Sequence, residues 1–193
     1  MRQAEFDREQ VLRSALKAFL HKGYGKTSMQ DLTKATGLHP GSIYCAFGNK
    51  RGLLVAAVEQ YKQDRDRQFA ATFPANAPVL PSLKGYLDDL VAECHSCDSS
   101  RACFLVKALN EMADQDAELQ AELSTSLETW QANLESQIQR AKDLGELTAD
   151  KDPEILARYL VMGIYGLRTY AQTHPQREVL QQLADQLYLS ICQ

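Results

Sequence analysis

The sequence predicts an all-α protein, a small N-terminal bundle of three short helices joined to a larger helical body. Three observations lead there. Leu, Ala, Gln and Glu dominate while β-branched residues are sparse, which is the composition of good helix formers. Apolar residues recur at three- and four-residue steps, and no stretch alternates convincingly with the period of a strand. Glycines and prolines fall at a few points that cut these runs into segments of helix length.

Each element follows from those signals. Val11, Leu12, Ala15, Ala18 and Phe19 give one apolar face to a helix from Phe6 to Leu20, which Gly23 ends with Lys22 beside its C-terminus. Thr27 or Ser28 can cap the next helix, and Ser28 with Asp31 three residues on is a weak capping box. Met29, Leu32 and Ala35 form its inward face, and Gly37 breaks it. A third helix runs from about Pro40 to Phe47, with proline in its first turn and Gly48 as its stop. Asn49 caps a fourth, running from Lys50 toward Phe69 or Ala70.

Pro74, Pro78 and Pro81 mark residues 74–81 as a linker, because prolines so spaced cannot continue a helix. Further helices are expected from Ser82 to about Cys94, from Arg101 to Met112, and from Asp114 or Asp116 to near Leu144-Gly145. Asp152-Pro153 opens another as N-cap and first residue, reaching about Thr173, and a last helix ends near Cys192. The expected division is a domain over residues 1–48 and a second over 49–193.

A chain of 193 residues, 45% of them hydrophobic, can bury a core without disulfides, so a disordered protein is excluded. The polar N-terminus is no signal peptide, and no apolar run is long enough to span a bilayer, so a cytoplasmic protein with no membrane association is expected. Five cysteines in such a chain make structural disulfides a poor default. The net charge is −4, yet residues 1–62 hold ten Lys/Arg against five Asp/Glu and carry +5, leaving −9 for the remainder. A basic head on an acidic body suits a protein that meets phosphate with the head and keeps the body away.

Two helices separated by Gly37-Leu38-His39 have the form of a helix-turn-helix, whose second helix enters the major groove of DNA. That helix is short here, so its N-terminal residues carry the reading. None of them offers the pairing of arginine with guanine.

The segment Phe6–Tyr61 resembles the DNA-binding domain of the tetracycline-repressor (TetR) family. The residues that carry the likeness are Gly23-Tyr24, Thr27-Ser28-Met29, Asp31-Leu32, Ala35, Gly37-Leu38, Gly41-Ser42-Ile43-Tyr44, Phe47 and Lys50. The resemblance implies a helix-turn-helix domain followed by a helical ligand-binding and dimerisation domain, and a transcriptional repressor that leaves its double-stranded operator when an effector binds. It implies that Thr27, Ser28, Tyr44 and Lys50 touch phosphate while His39, Pro40, Gly41 and Ser42 face the groove. Lys26 and Lys34 are further candidates, and an arm with Arg2 and Arg8 adds cations. Ala46 departs from the family pattern, in which many members carry histidine before the equivalent of Phe47.

The family likeness also implies a homodimer through the last two helices. Leu160, Gly163, Leu167, Val179, Leu183 and Leu187 are the expected interface. An effector pocket is expected among Phe104, Leu105, Ala108, Met112, Leu127, Trp130, Met162 and Tyr165, whose apolar and aromatic side chains suit an apolar or aromatic small molecule. Cys94, His95, Cys97 and Cys103 are the unusual cluster. They are read as inert buried thiols, as sensors of oxidants or electrophiles, or as soft ligands of a metal-sensing regulator. A helical interaction protein that does not bind DNA is a further alternative. No cofactor and no enzymatic activity are expected, since neither a phosphate-binding glycine loop nor a complete catalytic constellation is present.

Overall fold

The computed structural model describes residues 6–95 and 116–193, together with Val106, Ala108 and Asn110. The described residues form eight bounded helices and no strand: α1 (Arg8–Lys22), α2 (Met29–Thr36), α3 (Pro40–Phe47), α4 (Lys50–Thr72), α5 (Val79–His95), α6 (Ala117–Asp143), α7 (Pro153–Tyr170) and α8 (Arg177–Cys192). Val106, Ala108 and Asn110 are helical too. Most of the helix expected from Arg101 to Met112, and of the segment 95–100 before it, lies outside the described residues. No described helix is long and apolar enough to cross a membrane.

Contacts divide the chain into two units, one of residues 1–67 and 104–123, the other of 68–103 and 124–193. The boundary expected after residue 48 therefore falls later, inside α4. The reason is physical: Leu53, Leu54, Ala57 and Val58 are buried, and Arg13 of α1 grips Asp64 of α4 through two bonds of 2.7 and 2.8 Å. Helix α4 as far as Arg67 thus belongs to the head.

In the first unit α1 packs on α2 and α2 on α3. Val11, Leu12, Ala15, Leu16, Phe19 and Leu20 of α1 are buried, as are Leu32 of α2 and Ile43 of α3. The first helix starts two residues later than the apolar pattern suggests, because Asp7 caps it by accepting from the Gln10 amide. Between α2 and α3, Gly37 takes the left-handed conformation at φ 70°, which costs glycine least, and its amide closes the end of α2 on Thr33.

In the second unit α5, α7 and α8 pack on one another around a core that includes Leu87, Leu90, Leu134, Leu160, Ile164, Leu180 and Ile191. Helix α5 begins at Val79, three residues before the expected Ser82. Pro81 lies in its first turn, where its missing N–H has no intrahelical partner to lose. The amides of Val79 and Leu80 donate to the Glu146 carboxylate at 2.8 Å each, so the cap comes from a residue far along the chain. Arg140 of α6 donates to the carbonyls of Pro74 and Ala77 and holds the remaining linker. Helix α7 ends at Tyr170, three residues short of Thr173, and residues 171–173 form turns.

Candidate nucleic-acid interface

The interface is built on two closely capped helix starts. The Ser28 hydroxyl accepts from the Asp31 amide at 3.1 Å, and the Asp31 carboxylate accepts from the Ser28 amide at 2.9 Å, completing the capping box. Lys22 donates to the same carboxylate at 2.5 Å. Lys22 first, then the Ser28 amide, hold the Asp31 carboxyl well below the usual carboxylate range. The start of α2 is therefore fixed while Ser28 stays exposed.

Thr27 behaves differently. It is 1% exposed, and its hydroxyl donates to the Gly23 carbonyl at 2.6 Å. Its amide donates to the same carbonyl. With both donors turned inward, Thr27 shapes the α1–α2 link and leaves the group of side chains that can reach phosphate.

Helix α3 keeps one residue, Ile43, fully buried and seats Pro40 and Phe47 at half burial. Gly41, Ser42, Tyr44, Cys45 and Ala46 all face solvent, Tyr44 at 49% exposure. Exposing so much of a short helix leaves a continuous face for a partner. His39 precedes it as an exposed N-cap without a side-chain capping bond, and Lys26 and Lys34 are exposed nearby in sequence.

The step from α3 to α4 is tight. Asn49 caps α4 by accepting from the Gly52 amide at 2.8 Å. Lys50 is half-buried, its ammonium 4.4 Å from the centre of the Tyr24 ring, and burial lowers its pKa. Tyr24 in turn lies against Phe19, with ring centres 5.8 Å apart, and burial pushes its hydroxyl pKa up. Lys50 thus has a structural seat as well as its expected phosphate role.

The sequence reading missed the neighbour of Lys50. Arg51 makes a bidentate pair with Asp116, at 2.5 and 3.1 Å, and reaches Glu118 at 2.8 Å. Asp116 also caps α6 by accepting from the Leu119 amide at 3.0 Å. Arg51 first, and this amide second, push the Asp116 carboxyl down to about 2. The first turns of α4 and α6 are therefore tied inside one unit. Nothing periodic joins residues this far apart in sequence, so no local signal pointed to the pair.

The expected effector residues divide. Phe104, Leu105 and Met112 lie outside the described residues. Ala108 is buried and Leu127 half-buried, and Trp130 packs on Tyr165 with ring centres 5.8 Å apart. Met162 is 61% exposed and so does not line an interior pocket, because it lies on the outer side of α7.

The expected dimer residues need correction in the same way. Leu160, Leu167 and Leu187 are buried in their own unit, and Gly163 sits beneath the Leu187 side chain. Helix α7 is apolar around much of its circumference, so its pattern alone did not tell the inner face from the outer. The outer face carries Ile155, Tyr159, Met162 and Tyr170, all exposed. Leu183 of α8 is exposed and Val179 half-buried.

The Cys94–His95 pair does not converge. Cys94 is 1% exposed within the body core, while exposed His95 has Nδ1 3.2 Å from the Pro175 carbonyl. Consecutive helical residues are turned ~100° apart, which separates them. Cys97 and Cys103 lie outside the described residues. Among the described residues no group of three or more His, Cys, Asp or Glu side chains is placed to hold a metal ion.

Known proteins share both parts of this architecture. Residues 11–57 match the family model described as bacterial regulatory proteins, tetR family, and residues 79–187 match the tetracyclin repressor-like C-terminal domain. The HTH-type transcriptional regulator YezE of Bacillus subtilis (strain 168) is 29% identical over 185 residues, covering 95% of each chain. The HTH-type transcriptional repressor ComR of Escherichia coli (strain K12) is 28% identical over 181 residues, covering 93% of this chain and 86% of that protein. Among solved structures, a cysteine mutant of the TetR family regulator CifR, complexed with 26-bp double-strand operator DNA, superposes with a TM-score of 0.85 at 27% identity, covering 97% of this chain and 98% of that one.

Proposed function

Because this chain belongs to the tetR family of bacterial regulatory proteins and is a DNA-binding transcriptional regulator, we propose that it acts in the cytoplasm as a homodimeric repressor released from its operator by a small-molecule effector. The observation that carries the DNA contact is α3, with Gly41, Ser42, Tyr44, Cys45 and Ala46 open to solvent beside a firmly capped α2. Ser28, Lys26, Lys34, Tyr44 and Lys50 hold phosphates, which position the protein. His39, Gly41 and Ser42 meet the groove, which specifies the sequence, while Pro40, half-buried, turns inward. In a dimer, two copies of α3 reach successive major grooves about 34 Å apart.

The outer face of α7 supports the dimer. Ile155 and Met162 are 55% and 61% exposed, with Tyr159 between them and Leu183 exposed on α8. Such an apolar surface on a soluble protein marks an interaction site. Replacing Met162 with Glu is expected to give monomers in sedimentation experiments and to abolish tight operator binding. A Met162→Glu protein that remains dimeric would remove this face from the interface.

The Arg51–Asp116 pair offers a route for control. An effector that prefers a conformation in which α6 begins differently would draw on α4 and alter the setting of α3. Only such differential affinity shifts the equilibrium. Burial of Cys94 favours a small molecule over thiol modification at that site.

The test of the DNA contacts is operator binding as a function of salt. Lys34→Ala is expected to weaken specific and non-specific duplexes alike and to lower the salt slope by about one. Tyr44→Phe is expected to weaken both without changing that slope. Unchanged affinity in both variants would overturn this docking mode.

A further inference from the structure

Burial orders the sides of α3. Ile43 is buried and Pro40 and Phe47 half-buried, so these three define its inward side. At ~100° per residue, the point opposite them falls on Cys45, with Ser42 and Gly41 on either side and Ala46 beyond Ser42. A Cβ built on Gly41 would meet nothing within 4 Å, so the backbone there is open to close approach.

The chemistry of this face is narrow. The sequence of α3, PGSIYCAF, contains no Arg, Lys, Asn, Gln, Asp or Glu. Bidentate reading of guanine by Arg or Lys, or of adenine by Asn or Gln, is therefore absent from the helix, as is acceptance from cytosine by a carboxylate. What remains is a soft thiol, a methyl group and one small hydroxyl. A thiol and a methyl are apolar surfaces, and the apolar group that the major groove offers is the 5-methyl of thymine.

Several cations of the head are also committed to holding it together. Arg13 pairs with Asp64, Lys22 with Asp31 and Arg51 with Asp116, while Arg8 and Lys50 lie over the rings of Phe47 and Tyr24.

We propose that the Gly41–Ser42–Cys45 face of α3 reads thymine 5-methyl groups, with the Cys45 side chain as the central contact, so that each operator half-site contains an obligatory thymine. The proposal rests on α3 being the helix that enters the groove, and it adds the base class and the reader.

The experiment uses the full-length protein and an operator selected from a random duplex pool. Each thymine is replaced in turn by deoxyuridine, which removes only the methyl group. Loss of one contacted methyl is expected to weaken binding about fourfold, and loss in both half-sites about fifteenfold. Cys45→Ser should still bind but respond less than twofold to uracil at the contacted position. Operator, but not unrelated duplex, should shield Cys45 from iodoacetamide, as read by peptide mass spectrometry. If every uracil replacement is neutral while the operator still shields Cys45, methyl reading is overturned and α3 docking stands. If the operator binds without shielding Cys45, α3 docking fails and the proposal with it. An unchanged uracil penalty in Cys45→Ser would overturn the assignment of the contact to Cys45.

Discussion

Helix α2 and helix α5 are both held at their first turn by a carboxylate and a neighbouring amide, but from very different distances along the chain. The α2 cap is made by Ser28 and Asp31, three residues apart. The α5 cap is made by Glu146, which accepts from Val79 and Leu80 across 67 and 66 residues. The contrast extends to the units that contain them. The reading helices of the head are set by local chemistry, in which caps, glycines and short apolar runs each act within a turn or two. The body depends on distant partners: Arg140 on the linker carbonyls, Arg168 on Glu93 at 2.8 Å, and Gln181 on Asp88 at 2.6 Å. Within the head, the start of α2 is thus set by neighbours in the sequence, while Arg13–Asp64 and Arg51–Asp116 tie the helices to one another.

The sharpest local constraint is at the α3–α4 junction. A Cβ on Gly52 would lie 2.0 Å from the Phe47 carbonyl oxygen, so the backbone must move to admit it. Gly→Ala in a helix ordinarily stabilises, but here the sign reverses. Gly52→Ala is expected to destabilise the head by about 3 kcal/mol and to abolish operator binding. The single tryptophan, Trp130, lies in the second unit and reports on it separately. In urea unfolding the far-ultraviolet transition should move further than the Trp130 fluorescence transition. Equal shifts in both would break the comparison, because the head would then not respond on its own.

Glu146→Ala reverses the pattern. It strips two amides of their acceptor at the start of α5, where Val79 is buried. The expected loss is about 2 kcal/mol, seen in the Trp130 transition and scarcely in operator affinity at temperatures where the body stays folded. Ser28→Ala removes one side of a local cap and should cost about 1 kcal/mol, confined to the head. A Ser28→Ala effect as large as that of Glu146→Ala would mean that the local cap is no weaker than the remote one.

The same contrast explains what sequence alone made legible. The limits of α3 were readable to the residue because Pro40 and Gly48 punctuate it, and the capping box because Ser28 and Asp31 are adjacent in the pattern. The start of α5 was not readable, since three nearby prolines argued for a linker and the cap that stabilises Val79 lies beyond any local window. Gly41, Ser42 and Tyr44 could be named from the sequence as outward residues of α3, but Pro40, expected in the groove, is half-buried, and the exposed Cys45 was not among the expected contacts. Thr27 could not be separated from Ser28, because a threonine whose hydroxyl turns back to Gly23 looks the same in sequence as one that faces out. The outer face of α7 was hidden by apolar residues on both sides of that helix. Arg51 and Asp116 were invisible as a pair, being joined only by the fold.

That pair gives the smallest expected effect at neutral pH and the most specific signature at low pH. Asp116 has its carboxyl pushed from 3.8 down to about 2, chiefly by Arg51 and then by the Leu119 amide. A carboxylate more acidic in the folded than in the unfolded chain contributes stability that is fully present above about pH 4. That contribution fades as pH falls toward 2. The head of the wild-type protein should therefore lose stability progressively across this window, and Asp116→Asn should lack the Asp116 component of the loss. Asp31 titrates in the same direction, so some acid sensitivity must persist in the variant. Acid titration of head unfolding, compared between wild type and Asp116→Asn, measures the difference directly. Identical acid limbs would mean that the Arg51–Asp116 pair contributes no more than its solvated parts, leaving the Arg13–Asp64 pair, the buried core and local capping as the basis of the head's order.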